Sequence, residues 1–231
     1  PQTEAHGHPT RSGATAKAAF RSSPFAALCV ALVFIGTAQA LELHFVPVMM
    51  EHGVTLEVAG VLLSLMALTT VASNVLLGAL NDRRGTPTAV VVSLGLQAFA
   101  FVAIMSGAGV MSLAAGAVLF AFGLALPITL APILVERLFG TRDFATILGP
   151  VSAMIPAGLA IGTPLWGVAV DVTASYVPAL AGSTLITILA GALVLWALKS
   201  ASRVATPGAT APGRRAGRRR PRGPGRCSPG C

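Results

Sequence analysis

The segment Gly78-Ala-Leu-Asn-Asp-Arg-Arg-Gly85 lies between two long apolar runs and decides the fold. It places one carboxylate, Asp82, beside two arginines in a connection too short to extend far from a membrane surface. Gly78 precedes Asp82 by one helical turn, which allows a neighbouring helix to approach closely there. The segment therefore predicts a tight, charged turn between two membrane-spanning helices.

The composition supports a membrane protein. The 231 residues are 54% hydrophobic and only 10% charged, whereas a soluble domain carries roughly 25% charged residues. A large soluble core is excluded, because the runs 61–80 and 90–105 have no polar face. A helix needs about 20 apolar residues to cross a bilayer, and six such runs predict an all-α polytopic membrane protein. The predicted spans are 24–49, 57–80, 88–106, 110–134, 145–170 and 177–199.

The net charge of +8 belongs to one end of the chain. Eight arginines and no acid occupy residues 201–231, so the remaining eight basic and eight acidic residues balance. We therefore predict a polar segment over 1–23, a six-helix bundle over 24–200 and a disordered basic tail over 201–231. The tail favours anionic membrane lipid as a partner, and no nucleic acid is expected, because it lacks base-stacking aromatic residues. No residue pattern indicates a cofactor or a metal site.

Basic residues near span ends prefer the cytoplasmic side of a membrane. All sixteen lysines and arginines precede the first span, follow the sixth, or lie in the second-to-third and fourth-to-fifth connections. The other three connections contain only Glu51, Glu57 and Asp171 as charged residues. This distribution predicts a multi-pass protein of the cell (inner) membrane with both termini in the cytoplasm.

A pattern of span ends occurs twice. Pro47 and Glu51 end the first span and Gly78 and Asp82 the second, each pair four residues apart. The same spacing returns at the fourth and fifth spans, in Pro132, Glu136, Gly167 and Asp171. Three spans separate the copies, so the second copy is inverted. An inverted 3+3 repeat is a common transporter design; the alternative is chance, because Pro, Gly and acids often occur at span ends.

Several motifs resemble those of the major facilitator superfamily. Gly78, Asp82, Arg83 and Gly85 match its G-x-x-x-D-R-x-G turn, and Glu136-Arg137-Leu-Phe-Gly140 resembles the sequence that closes the fourth helix of a half. Gly162-Thr-Pro164, Gly167 and Asp171-Val-Thr-Ala-Ser-Tyr176 resemble a pattern of its monocarboxylate and oxalate–formate carriers. The resemblance implies the second six-helix half of a twelve-helix carrier, with residues 1–23 like the end of a central loop.

This resemblance implies secondary transport of a small solute by alternating access, proton-coupled or by exchange, with an organic anion as one option. We expect the chain to be a fragment that needs a missing N-terminal half or a second copy. Asp82 and Arg83 would form a conformational latch, or Arg83 and Arg84 would only anchor the topology. The alternatives are a non-transporting six-helix scaffold or relic and a membrane-embedded enzyme. Nothing predicts an enzyme, because the serine-protease elbow and the H-E-x-x-H motif are absent from the sequence.

Ionisable residues inside spans mark candidate functional sites. In the first span, Thr37 and His44 share one side of the helix, and Gln39 and Glu42 share the other. One stripe should face a cavity, and the resemblance favours His44, within His44-Phe-Val-Pro47. These four residues are candidates for substrate binding or proton coupling. Asn74 is a fifth candidate, because it stands where relatives often carry Arg, which weakens the expectation of an anionic substrate.

Helix breakers suggest which spans surround the cavity. Interior prolines occur in the fourth and fifth spans, and none occurs inside the third or sixth. Breaks of this kind are tolerated where neighbouring helices or a wet cavity satisfy the backbone. We therefore place spans one, two, four and five around the cavity. Gly158, Gly162 and Gly167 are predicted to let the fifth span pack closely on a neighbour.

Overall fold

The computed structural model describes residues 13–204, which form helices and short connections with no strand. The start of the predicted polar segment and all of the predicted basic tail beyond residue 204 lie outside this range. Six of the described helical segments are long and apolar enough to cross a membrane, which confirms the predicted all-α fold of six spans. They run Ser23–Glu51, Leu56–Arg84, Thr86–Met105, Val110–Phe139, Phe144–Thr173 and Val177–Ser200.

Two spans continue past their apolar runs and end at glycines of the predicted motifs. The second span ends before Gly85, which has φ +85°, and the fourth ends before Gly140, which has φ +79°. The N–H of each glycine donates to the carbonyl four residues earlier, at 2.8 Å. Glycine adopts positive φ without the steric cost that a Cβ imposes. Both glycines therefore terminate their helices and turn the chain into the next span.

The first span is interrupted at the depth of its ionisable residues. Two α-helices, Ser23–Gln39 and Phe45–Glu51, flank a 3₁₀ turn over Ala40–His44. Pro47 contributes to the interruption, because it has no N–H and its ring crowds the carbonyl four residues earlier, that of Leu43. The interior prolines of the fourth and fifth spans leave those helices continuous.

The packing of the spans has the symmetry of the predicted repeat. The first span packs on the fifth and sixth, whereas the fourth packs on the second and third. If the first, second and third spans are exchanged with the fourth, fifth and sixth, the contacts of the first span become those of the fourth. The third and sixth spans also pack on each other. An inverted 3+3 repeat requires this contact pattern.

Burial is uneven across the spans. In the most apolar stretch of the first span 56% of residues are buried, against 22% in the second span and 17% in the fifth. The second and fifth spans are therefore the least buried of the six, and they leave much of their apolar surface uncovered by the described bundle. Spans facing lipid are expected to expose apolar side chains, so this surface is compatible either with lipid or with another set of helices.

Candidate functional site

A cavity of about 750 Å³ opens where the first, second, fourth and fifth spans meet. These are the four spans that the proline pattern places around a cavity. Its volume lies within the roughly 300–1,000 Å³ of small-molecule sites. Most of the wall is apolar, and its polar residues are Gln39, Glu42, Thr70 and Asn74. The apolar lining consists of Leu63, Met66, Ala67, Val71, Leu124, Pro127, Ile128 and Ile155.

Gln39 and Glu42 reach this cavity from the first span. Gln39 is 4% exposed, and its Nε2 donates to the carbonyl oxygen of Gly123 at 2.7 Å, which ties the first span to the fourth. Glu42 lies three positions after Gln39 in the sequence, and its side chain is exposed at the cavity wall. The stripe with the carboxylate therefore faces the cavity.

The Thr37 stripe lies on the other side of the first span. The Thr37 hydroxyl lies 2.9 Å from the carbonyl oxygen of Val33 and 3.2 Å from that of Gly158, and it can donate to either. The indole Nε1 of Trp166 donates to the carbonyl oxygen of Thr37 at 2.7 Å. These bonds join the first and fifth spans, and they place Thr37 outside the cavity lining.

His44 lies nearer the end of the first span, beside the connection between the fifth and sixth. Its side chain is half-buried, and its Nδ1 lies 3.3 Å from the carbonyl oxygen of Ala40. Its ring centroid lies 6.1 Å from that of Tyr176. His44 is thus placed at the rim of the bundle rather than in the wall of the cavity.

Glycines bring the first and fifth spans into close contact. A Cβ on Gly158 would lie 2.3 Å from the carbonyl oxygen of Val33, and one on Gly162 would lie 2.6 Å from that of Thr37. Gly36, in the first span, is the counterpart of these two, and a Cβ there would also meet backbone atoms of the fifth span. Among the described residues, no other span has an atom within 4 Å of the place of the missing Cβ of Gly167, so this glycine does not make the close contact predicted for it.

Asn74 connects the second span to the fourth at the cavity wall. Its Nδ2 donates to the carbonyl oxygen of Thr70 at 3.0 Å, within its own helix. Its Oδ1 accepts a hydrogen bond of 2.8 Å from the hydroxyl of Thr129. The half-buried carboxamide is therefore held in place by both of its polar ends.

The turn between the second and third spans is held by two buried residues next to the charged ones. The Thr86 hydroxyl donates to Oδ1 of Asn81 at 2.7 Å, and both residues are buried. Nδ2 of Asn81 donates in turn to Oδ1 of Asp82 at 3.2 Å. Asp82, Arg83 and Arg84 are exposed. Their charges are therefore accessible to another part of the protein or to a partner.

The acids at the repeated span ends are exposed, and one of them links two parts of the fold. The backbone N–H of Tyr176 donates to Oε2 of Glu51 at 3.3 Å, which joins the fifth-to-sixth connection to the end of the first span. Burial raises the pKa of the Tyr176 phenol, and the negative charges of Glu51 and Asp171 raise it further. At the opposite end of the bundle, Glu136 and Arg137 are both exposed.

Sequence reasoning missed two features of this region. Gln97, in the third span, is completely buried against Gly123, and neither polar atom of its carboxamide has a hydrogen-bond partner among the described residues. Its position in an apolar run was a signal that it is unusual. The carboxylate of Asp143 accepts from the N–H of Ala16 at 2.8 Å, so the segment before the first span is tied to the fourth-to-fifth connection. That backbone contact has no signature in the sequence.

The comparisons with known proteins agree with the geometry. The family model described as Major Facilitator Superfamily matches residues 25–225, which include all six spans except the first two residues of the first. No curated protein matches the chain significantly.

Proposed function

Because the chain belongs to the major facilitator superfamily, we propose that it forms part of a secondary transporter that moves a small solute across a membrane by alternating access. The supporting observation is the cavity between the first, second, fourth and fifth spans, with Glu42 exposed in its apolar wall. An ionisable group at membrane depth has a desolvation cost, so its presence favours a functional role. The monocarboxylate branch has no support beyond the motifs of the fifth span.

A transporter of this kind needs a second wall, and we include a partner in the proposal. The second and fifth spans border the cavity and have the least buried apolar stretches. A further six-helix half, or a second copy of this chain, would cover that surface. The distribution of lysines and arginines supports a cytoplasmic location for both termini in the cell (inner) membrane, with lipid around the remaining apolar surface.

Within this mechanism, we assign Asp82 and Arg83 to a conformational latch. The hydrogen bonds of Asn81 and Thr86 hold the turn, and the exposed charges can pair with another element in one state of the cycle. Asp82→Asn should slow turnover more than it weakens solute binding. A change in affinity alone would contradict this role.

Two residues of the first span are candidates for proton coupling. Glu42 lies at the cavity wall, and His44 lies at the rim of the bundle beside Tyr176. An imidazole ring can both accept and donate a proton, so His44→Ala should abolish or uncouple transport. Unchanged uptake with an unchanged pH profile would remove His44 from the mechanism.

Side-specific cysteine labelling tests alternating access on the chain in membranes. In a background without the native cysteines, Ala67→Cys places a thiol in the cavity wall. An impermeant maleimide should label this thiol from both sides of the membrane. Asp82→Asn should raise the labelling rate from one side and lower it from the other. Val172→Cys and Ala145→Cys, exposed at opposite ends of the fifth span, should each react from one side only.

The labelling pattern distinguishes a transporter from a non-transporting scaffold. Labelling of Ala67→Cys from one side only, unaffected by Asp82→Asn, would indicate a static scaffold. If Val172→Cys reacted from the cytoplasmic side, the proposed orientation would be wrong.

A further inference from the structure

The cavity wall contains one ionisable group, and it is an acid. Among the lining residues, all within the described part of the chain, Glu42 is the single residue with a titratable side chain. No lysine or arginine occurs at any position in 22–82, 85–136 or 143–198. His44 is turned toward Ala40 and Tyr176. This wall therefore offers a negative charge and no positive one.

The N–H and O–H groups of the other polar residues in the wall already donate hydrogen bonds within the protein. Nε2 of Gln39 donates to Gly123 and Nδ2 of Asn74 to Thr70. The hydroxyl of Thr70 donates to the carbonyl oxygen of Met66 at 2.9 Å. An anionic solute requires donors or cations, and these groups have few N–H or O–H bonds left to provide. The carboxylate of Glu42 is an acceptor, which suits a cation.

The rest of the wall is suited to an apolar body. Aliphatic side chains and Met66 from three spans surround the polar positions. Methionine adapts to ligands of irregular shape. A cation with apolar substituents would bury those substituents against this surface while its charge lies near Glu42, and it would lose less hydration than a small inorganic ion.

We propose that the cavity wall between the first, second, fourth and fifth spans binds amphipathic organic cations through the Glu42 carboxylate. The proposal rests on the proposed transport function and names the class of its substrate. A proton and the cation compete for the same carboxylate, so that one is released when the other binds. This competition couples movement of the cation in one direction to movement of the proton in the other, without a second ionisable group in this wall.

Two ions of nearly the same shape and opposite charge test the proposal. Equilibrium dialysis of the purified 231-residue chain in detergent measures binding of tetraphenylphosphonium and of tetraphenylborate. The cation should bind at least about tenfold more tightly than the anion, and Glu42→Gln should remove most of that preference, because a charge-assisted interaction is lost. Glu57→Gln is the matched control, since this exposed acid at the start of the second span lies outside the cavity lining.

Glu42→Asp guards against a folding artefact, because it keeps the charge and should keep the preference for the cation. Equal binding of the two ions by the wild-type chain, or tighter binding of the anion, would overturn the proposal without any variant. Retention of the full preference in Glu42→Gln would overturn it as well. Alternating access is measured independently by the labelling of Ala67→Cys, so either proposal can fail while the other stands.

Discussion

The contact between the first and fifth spans can be tested by adding one methyl group. In Gly158→Ala, the new Cβ would lie 2.3 Å from the carbonyl oxygen of Val33, about 1 Å closer than the 3.4 Å at which ordinary contact begins. The three nearest atoms, from Val33, Gly36 and Thr37, all belong to the backbone of the first span, so the clash is relieved only if the two helices move apart. Overpacking of this kind costs about 1–3 kcal/mol.

The same movement stretches the polar links across the contact. The Thr37 hydroxyl lies 3.2 Å from the carbonyl oxygen of Gly158, and Nε1 of Trp166 donates to the carbonyl oxygen of Thr37 at 2.7 Å. A separation of about 1 Å breaks both, and interhelical hydrogen bonds in membranes contribute about 0.6 kcal/mol each. Together with overpacking, these losses amount to about 2–4 kcal/mol, and the higher helix propensity of Ala offsets up to about 1 kcal/mol. The free energy of unfolding should therefore fall by about 1–3 kcal/mol.

The measurement is reversible unfolding in mixed detergent micelles, followed by tryptophan emission. Trp196→Phe leaves Trp166 as the single tryptophan, and its emission should shift to longer wavelength as its buried indole loses its partner. Gly167→Ala is the control on the same helix, because a Cβ there meets nothing within 4 Å, and Ala favours a helix by up to about 1 kcal/mol. If Gly158→Ala were as stable as Gly167→Ala, the close contact would not contribute to stability as argued.

Two further substitutions probe single interactions. Glu51→Gln should lower the pKa of Tyr176, because the negative charge that disfavours the phenolate is removed. Tyr176 is the one tyrosine in the sequence, so the absorbance of tyrosinate measures its titration. An unchanged pKa, or an equal shift in Glu57→Gln, would contradict the electrostatic cause. Gln97→Met should raise the free energy of unfolding by about 1–3 kcal/mol, because it removes a buried carboxamide without partners; destabilisation in the same detergent assay would instead indicate that the carboxamide is satisfied beside Gly123.

The spans and their helix ends were largely predictable from local sequence. An apolar run of the right length must form a helix in a bilayer, because no water is available to its backbone. Gly85 and Gly140 mark helix ends for an equally local reason, the conformation at a single residue. The two motifs that contain them lie where the family resemblance places them, and the match to the family confirms that resemblance.

The placement of candidate residues was less predictable, because it depends on which helices become neighbours. Helix periodicity separated the Gln39–Glu42 stripe from the Thr37–His44 stripe, but it did not determine which one faces the cavity. The packing of Thr37 against Gly158 and Trp166 decides this. The 3₁₀ turn before Pro47 then places His44 at the rim.

The amino-acid sequence by itself determined that the chain crosses a membrane six times, since hydrophobicity along a run acts residue by residue. It also predicted the internal repeat from the spacing of Pro, Gly and acidic residues. Only the tertiary structure decided that Glu42 lies in an apolar cavity and that Gly36 meets Gly158. Contacts between residues more than a hundred positions apart depend on the matching of whole helix surfaces, which no local pattern contains.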